Sequence, residues 1–113
     1  MSGAPDAAGF GLKPSVIERI NAVLARTPAV ERAVIYGSRA KGNYRAGSDI
    51  DLAVFGEALT EAVVLDISNR LDDLLLPWKI DLSWFQSIQN ADLIDHIQRV
   101  GIECYRRASP PAA

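Results

Sequence analysis

Cysteine is almost missing from this chain: Cys104 stands alone among 113 residues, so no internal disulfide can form, which fits a reducing compartment. A cationic excess is missing as well. Twelve Lys and Arg against fourteen Asp and Glu leave a formal charge of −2 and a pI near 5.3. That removes the electrostatic footprint of a broad polynucleotide binder, and nucleic acid is not expected among the main partners. No apolar run approaches the length of a membrane span. The first eleven residues, MSGAPDAAGFG, hold neither a basic cluster nor an apolar segment long enough for a secretory signal. The expected setting is the cytoplasm, with no membrane partner. Internal repeats and low-complexity segments are absent apart from the short ends.

What is present reads as one globular domain, 49% hydrophobic and 23% charged, long enough for a single core. Residues 1–12 and the tail 108–113 (ending SPPAA) carry no apolar period to hold them down and are expected to be flexible; 13–107 is the expected folded part. SVIE at 15–18 has the form of a capping box led by Ser15, and Val16, Ile17, Ile20, Val23 and Leu24 follow at helical spacing. RAVIY at 32–36 predicts a buried strand stopped by Gly37. Thr60 can cap a second helix with the stripe Val63, Val64, Ile67, Leu71, Leu74 and Leu75 before Pro77. A last helix is expected from Asn90 through Leu93, Ile94, Ile97, Val100, Gly101 and Cys104. Strands alternating with helices predict a sheet covered by helices, an α/β or α+β arrangement.

Two strand-like runs carry acids. In DIDLAVF at 49–55, Ile50, Leu52 and Val54 face one way and Asp49, Asp51 and Ala53 the other. In WKIDLSW at 78–84, Trp78, Ile80, Leu82 and Trp84 lie on one face, and Lys79, Asp81 and Ser83 on the other. Clustered carboxylates repel and are costly to desolvate unless cations sit among them, and oxygen ligands suit Mg²⁺ or Mn²⁺. A phosphate side is also present. Gly37 lets backbone approach a ligand closely, and Ser38 can cap the short turn RAKG, leaving N–H groups and a hydroxyl toward an anion. Arg39, Lys41 and Arg45 add positive charge nearby. Two ions about 4 Å apart could then clamp the attacking and leaving oxygens of a displacement at phosphorus.

Other residues have plainer readings. His96 is expected on the outer side of the last helix, and Asp66, Asp72 and Asp73 on a solvated face. Cys104 reads as a packed helix residue, and Trp78 and Trp84 as core. Tyr44 stands to line the site or cover it.

The string GSRAKGNYRAGSDIDLAVFG at 37–56, with KIDLSWF at 79–85, resembles a minimal nucleotidyltransferase domain of the DNA polymerase beta superfamily. The resemblance implies a small mixed sheet with packed helices, ATP or another nucleoside triphosphate as donor, and transfer of a nucleoside monophosphate with release of pyrophosphate. It implies that Gly37 and Ser38 hold the triphosphate with basic help from Arg39 and Lys41. Asp49, Asp51 and Asp81 would be the catalytic carboxylates and the ligands of two Mg²⁺ or Mn²⁺ ions, Asp81 also assisting deprotonation of the acceptor. Domains of this minimal type resemble the antitoxin of toxin–antitoxin modules whose partner is a helical HEPN ribonuclease, which implies AMP transfer to a hydroxyl of that toxin and a homo- or hetero-oligomer. A small-molecule (antibiotic) nucleotidyltransferase and a binding module that neutralises its partner by contact alone are the alternatives.

Overall fold

Val34, Ile35 and Tyr36 belong to a run of β-branched and aromatic residues that packs best when a sheet buries it on both faces. The computed structural model, which describes residues 10–45 and 47–108, gives it that setting. Among the described residues the elements run α1 (Pro14–Ala25), β1 (Arg32–Tyr36), α2 (Gly37–Lys41) and β2 (Ile50–Phe55), then α3 (Glu61–Asp72) and β3 (Ile80–Trp84). A 3₁₀ turn (Phe85–Ser87), α4 (Ala91–Val100) and β4 (Ile102–Arg106) follow. They form a four-stranded mixed sheet of order β3-β2-β1-β4. Strand β1 is antiparallel to β2 and β4, while β2 and β3 run parallel. A parallel pair needs a crossover, which α3 supplies.

The sheet divides two apolar layers. On one face Ile35, Ile50, Leu52 and Val54 pack with Ile20 and Leu24 of α1 and Ile67 and Leu71 of α3. On the other, Val34, Tyr36 and Ala53 receive Ile97, flanked by Leu93 and Val100 of α4. The caps expected at Thr60 and Asn90 form: Thr60 Oγ1 accepts from the Val63 N–H at 3.2 Å, and Asn90 Oδ1 from Asp92 and Leu93 at 2.9 and 3.2 Å. Asp66, Asp72 and Asp73 are exposed, and Trp78 and Trp84 pack on the core. Among the described residues no helix is long and apolar enough to cross a membrane.

Several sequence expectations are corrected. The first helix starts at Pro14 with Lys13 as its N-cap and no side-chain cap bond, so Ser15 lies inside the first turn. Proline suits that position because its missing N–H would have had no helical partner. Phe10 and Leu12 are 6% and 3% exposed and belong to the core, whereas segments 1–9 and 109–113 lie outside the described residues. Leu75 leaves its stripe: past the helix end its φ is 55° and it is 87% exposed. The strands begin at Ile50 and Ile80 rather than at Asp49 and Trp78.

The largest correction concerns the last helix, which ends at Val100. Gly101 donates to Ile97 O at 2.9 Å but turns to ψ 140°, and the chain then enters β4 beside β1. A Cβ at Gly101 would overlap Ile97 O and the Val34 side chain. Cys104 is therefore a strand residue, its Sγ donating to Ala33 O at 3.6 Å, and burial pushes its thiol up to about 12. The apolar period misled because Cys104 falls seven residues after Ile97, a spacing a helix and a helix-turn-strand share. Gly101→Ala should destabilise the chain by about 1–3 kcal/mol through this overlap. Urea denaturation checks it, and an unchanged midpoint would mean that Val34 and the Ile97 carbonyl leave room for a methyl group.

Candidate active site

Strand register builds the site. Tyr36 pairs with Asp51 across the antiparallel β1–β2 ladder, and Asp51 pairs with Asp81 across the parallel β2–β3 ladder. Directly opposed residues project to the same face, so Tyr36, Asp51 and Asp81 form one row across three strands. The next row is Val34, Ala53 and Ser83, where Tyr36 Oη and Ser83 Oγ lie 3.0 Å apart. Asp49, two residues before Asp51, leads into β2 and is exposed. Asp51 is half-buried and Asp81 exposed, so the row opens to solvent beyond the cover of α4.

Gly37 follows Tyr36 directly and holds φ at 74°, a conformation that disfavours any side chain. A Cβ there would also land on the Asp51 carboxylate. The Gly37 backbone is thus brought against the Asp51 carboxylate. The turn itself differs from expectation: α2 starts at Gly37, with Tyr36 as N-cap, and Ser38 sits half-buried within its first turn rather than capping it. Lys41 and Arg45 are exposed.

Arg39 goes the other way. It is 1% exposed, and its guanidinium donates to the carbonyls of Ser48 and Phe10, so the structure does not present it to a triphosphate. Burial lowers its pKa from the ordinary arginine value. Helical direction is the reason: α2 turns the side chain after Ser38 beneath the motif loop.

Two neighbours escaped the sequence reading. Tyr36 looked like the buried end of a strand, and only the register sets it beside Asp51. His96, expected on an outer face, is half-buried instead, its ring edge-on to Tyr36 at 6.0 Å between centroids. It also faces Asp51 closely enough to favour that carboxylate's charge. The cue available was its place next to Ile97, the residue that seats α4 on the sheet.

The acids are electrostatically uncomfortable. Burial first, then Asp81 and Asp49, raise the Asp51 pKa above its ordinary 3.8, with only His96 opposing. Burial, with the Asp51 and Asp81 charges, raises Tyr36 as well, against the hydrogen bond shared with Ser83. Among the described residues no ion pair involves Asp49, Asp51 or Asp81. Nor do any three Asp, Glu, His or Cys side chains among them already converge as a metal cage. What the row offers is a partial set of hard oxygen donors whose mutual repulsion at Asp51 only His96 opposes. This suits Mg²⁺, which takes one or two carboxylates and leaves places for substrate phosphates.

A raised carboxyl pKa in the folded state favours folding below pH 3.8, an advantage lost as the pH climbs through the raised value. At pH 7 ionised Asp51 is then a destabilising charge in the metal-free chain. Asp51→Asn should raise the metal-free thermal midpoint at pH 7, and the difference should vanish near pH 3.8. A lower midpoint at pH 7 would show that the carboxylate is already compensated.

Comparison with known proteins bears on the family and the fold. The sequence matches the family model described as polymerase beta, nucleotidyltransferase, over residues 18–109. No curated protein matches it. In structure it resembles a chain from a toxin–antitoxin crystal structure with AMP-PNP, at TM-score 0.67 and 22% identity over 80% of this chain and 73% of that one. It also resembles a chain of the tri-AMPylated Shewanella oneidensis HEPN toxin in complex with MNT antitoxin, at TM-score 0.63 and 19% identity over 82% and 71%. A chain of the toxin–antitoxin MntA-HepT gives 0.63 and 19% over 83% and 73%. At these identities the likeness is one of fold. The family model spans most of the chain, which therefore belongs to the polymerase beta nucleotidyltransferase family.

Proposed function

We propose that this chain moves AMP from ATP to a hydroxyl of a partner protein, a helical HEPN-type toxin that it thereby silences. The observation that carries the reading is the row of Asp51 and Asp81, left open to solvent beside the Gly37 turn. Structural neighbours that include a toxin–antitoxin with AMP-PNP and an AMPylated HEPN toxin with its MNT antitoxin support the choice of donor and acceptor. A cytoplasmic setting follows from such a partner.

The backbone at Gly37, the Ser38 hydroxyl and the Lys41 ammonium would hold the triphosphate. Asp49, Asp51 and Asp81 would hold divalent cations, Mg²⁺ or Mn²⁺ and two in number, which when bound supply charge neutralisation to the phosphate oxygens. The acceptor hydroxyl oxygen forms a bond to the α-phosphorus as the bond from that phosphorus to the bridging oxygen breaks, and pyrophosphate leaves. Asp81, exposed at the sheet edge, would accept the hydroxyl proton. In this reading the partner brings the acceptor to the row.

Intact-mass measurement of a helical partner co-expressed with the wild-type chain should show added AMP on Tyr, Ser or Thr. Asp49→Asn and Asp51→Asn should abolish it while the fold persists. A partner that stays unmodified yet inhibited would favour neutralisation by contact, and labelling of an aminoglycoside by the isolated chain would favour a small-molecule enzyme.

Two further variants separate the roles. Asp81→Asn should slow single-turnover transfer more than it weakens ATP binding, while Ser38→Ala should chiefly weaken ATP. The reverse pattern would exchange the assignments.

A further inference from the structure

Arg39 sits between the Gly-Ser turn and the two acids in sequence, yet its side chain is 1% exposed. Nε and Nη2 both donate to Ser48 O, at 3.1 and 2.9 Å, and Nη1 donates to Phe10 O at 2.7 Å. The guanidinium carbon lies 5.3 Å from the Tyr44 ring centroid and 5.4 Å from that of Trp78. One buried cation therefore touches four segments: Phe10 ahead of α1, the motif loop at Tyr44, the entry to β2 at Ser48 and the approach to β3 at Trp78.

The position of those contacts matters more than their number. Ser48 O belongs to the same rigid peptide plane as the Asp49 N–H, because the peptide bond does not rotate freely. Two hydrogen bonds to that oxygen fix the plane from which Asp49 projects. Asp49 itself precedes the first ladder residue of β2, so strand pairing does not hold it. Trp78 stands three residues before Asp81, and Lys79 O accepts from Ile50 N at 2.8 Å where the parallel pairing begins. The starts of both acid-bearing strands meet beside Arg39. Only a planar guanidinium can grip one carbonyl with two donors, reach a second with a third and lie against aromatic rings; a lysine ammonium is a point charge.

We propose that Arg39 is a positioning residue, which sets Asp49 against Asp51 and Asp81 through the Ser48 carbonyl and does not touch the nucleotide. The proposal rests on the metal-site reading given above.

The test compares wild type with Arg39→Lys and Arg39→Met, each at a temperature where circular dichroism shows it folded. Mn²⁺ binding with AMP-PNP is followed by electron paramagnetic resonance, and AMP-PNP binding in chelator by calorimetry. Both variants should lose at least about tenfold in Mn²⁺ affinity, the size seen when groups that orient a metal ligand are removed. Nucleotide affinity in chelator should stay within about twofold, since a group that makes no phosphate contact removes little uniform binding. Weaker nucleotide binding with unchanged Mn²⁺ affinity would make Arg39 a phosphate ligand and overturn the proposal. So would a lowered thermal midpoint with both affinities unchanged, which is all that a purely structural role would show.

If both arginine variants fail to fold, Tyr44→Leu removes one ring from the guanidinium and leaves its hydrogen bonds in place. It should weaken Mn²⁺ binding in the same direction, and an unchanged affinity would count against the proposal. Wild type that binds no Mn²⁺ with AMP-PNP would overturn the metal site and this inference together. Wild type that binds Mn²⁺ but transfers no AMP would remove only the proposed reaction.

Discussion

Strand β2 cannot slip. Ile50, Leu52 and Val54 are all 0% exposed on the face that meets α1 and α3, and a shift of one residue would send them toward α4 and solvent while burying Asp51 in the core. Both errors are costly, one through lost apolar burial and the other through a desolvated charge. The apolar pattern thus locks the position of the carboxylates. Because β2 lies between β1 and β3, the same lock fixes Tyr36 on one side of Asp51 and Asp81 on the other. Every later feature of the site inherits this register.

The remaining elements decide how much of the row is covered. Helix α3 returns the chain so that β3 can run parallel to β2, which places Asp81 at an exposed sheet edge. Helix α4 seals Val34 and Ala53 under Ile97 and brings His96 to the rim, while Asp51 and Asp81 stay accessible. Gly37 completes the enclosure from the β1 side, where any side chain would strike Asp51. The result combines partial burial, which strengthens repulsion among the acids, with an opening through which neutralising groups can reach them.

Stability and the proposed chemistry therefore pull against each other at Asp51. The core side of β2 favours the folded chain, and the carboxylate side opposes it whenever Asp51 is ionised. Such local disagreement with the rules of a good core is where functional residues are expected, because a site must hold groups that packing alone would reject. Arg39 shows the complementary case: a cation buried for its hydrogen bonds to Ser48 and Phe10, in a motif whose exposed bases, Lys41 and Arg45, look interchangeable with it in sequence.

The alternation of Ile50, Leu52 and Val54 with Asp49 and Asp51 was legible because a strand's period of two depends on covalent geometry alone. The caps at Thr60 and Asn90 and the face of Asp81 were legible for the same local reason. What neighbours along the chain cannot specify is which distant backbone lies alongside. The turn at Gly101 depends on Val34, 67 positions away, and the approach of Tyr36 and His96 to Asp51 depends on strand pairing and on the seat of α4. The inward course of Arg39 depends on carbonyls of Phe10 and Ser48. The sequence by itself determined the three long helices in outline, β1 to β3 and the acids' shared face, since these follow from local sterics and period, but not β4. Only the tertiary structure decided what surrounds those acids, because that is set by contacts between segments far apart in the chain.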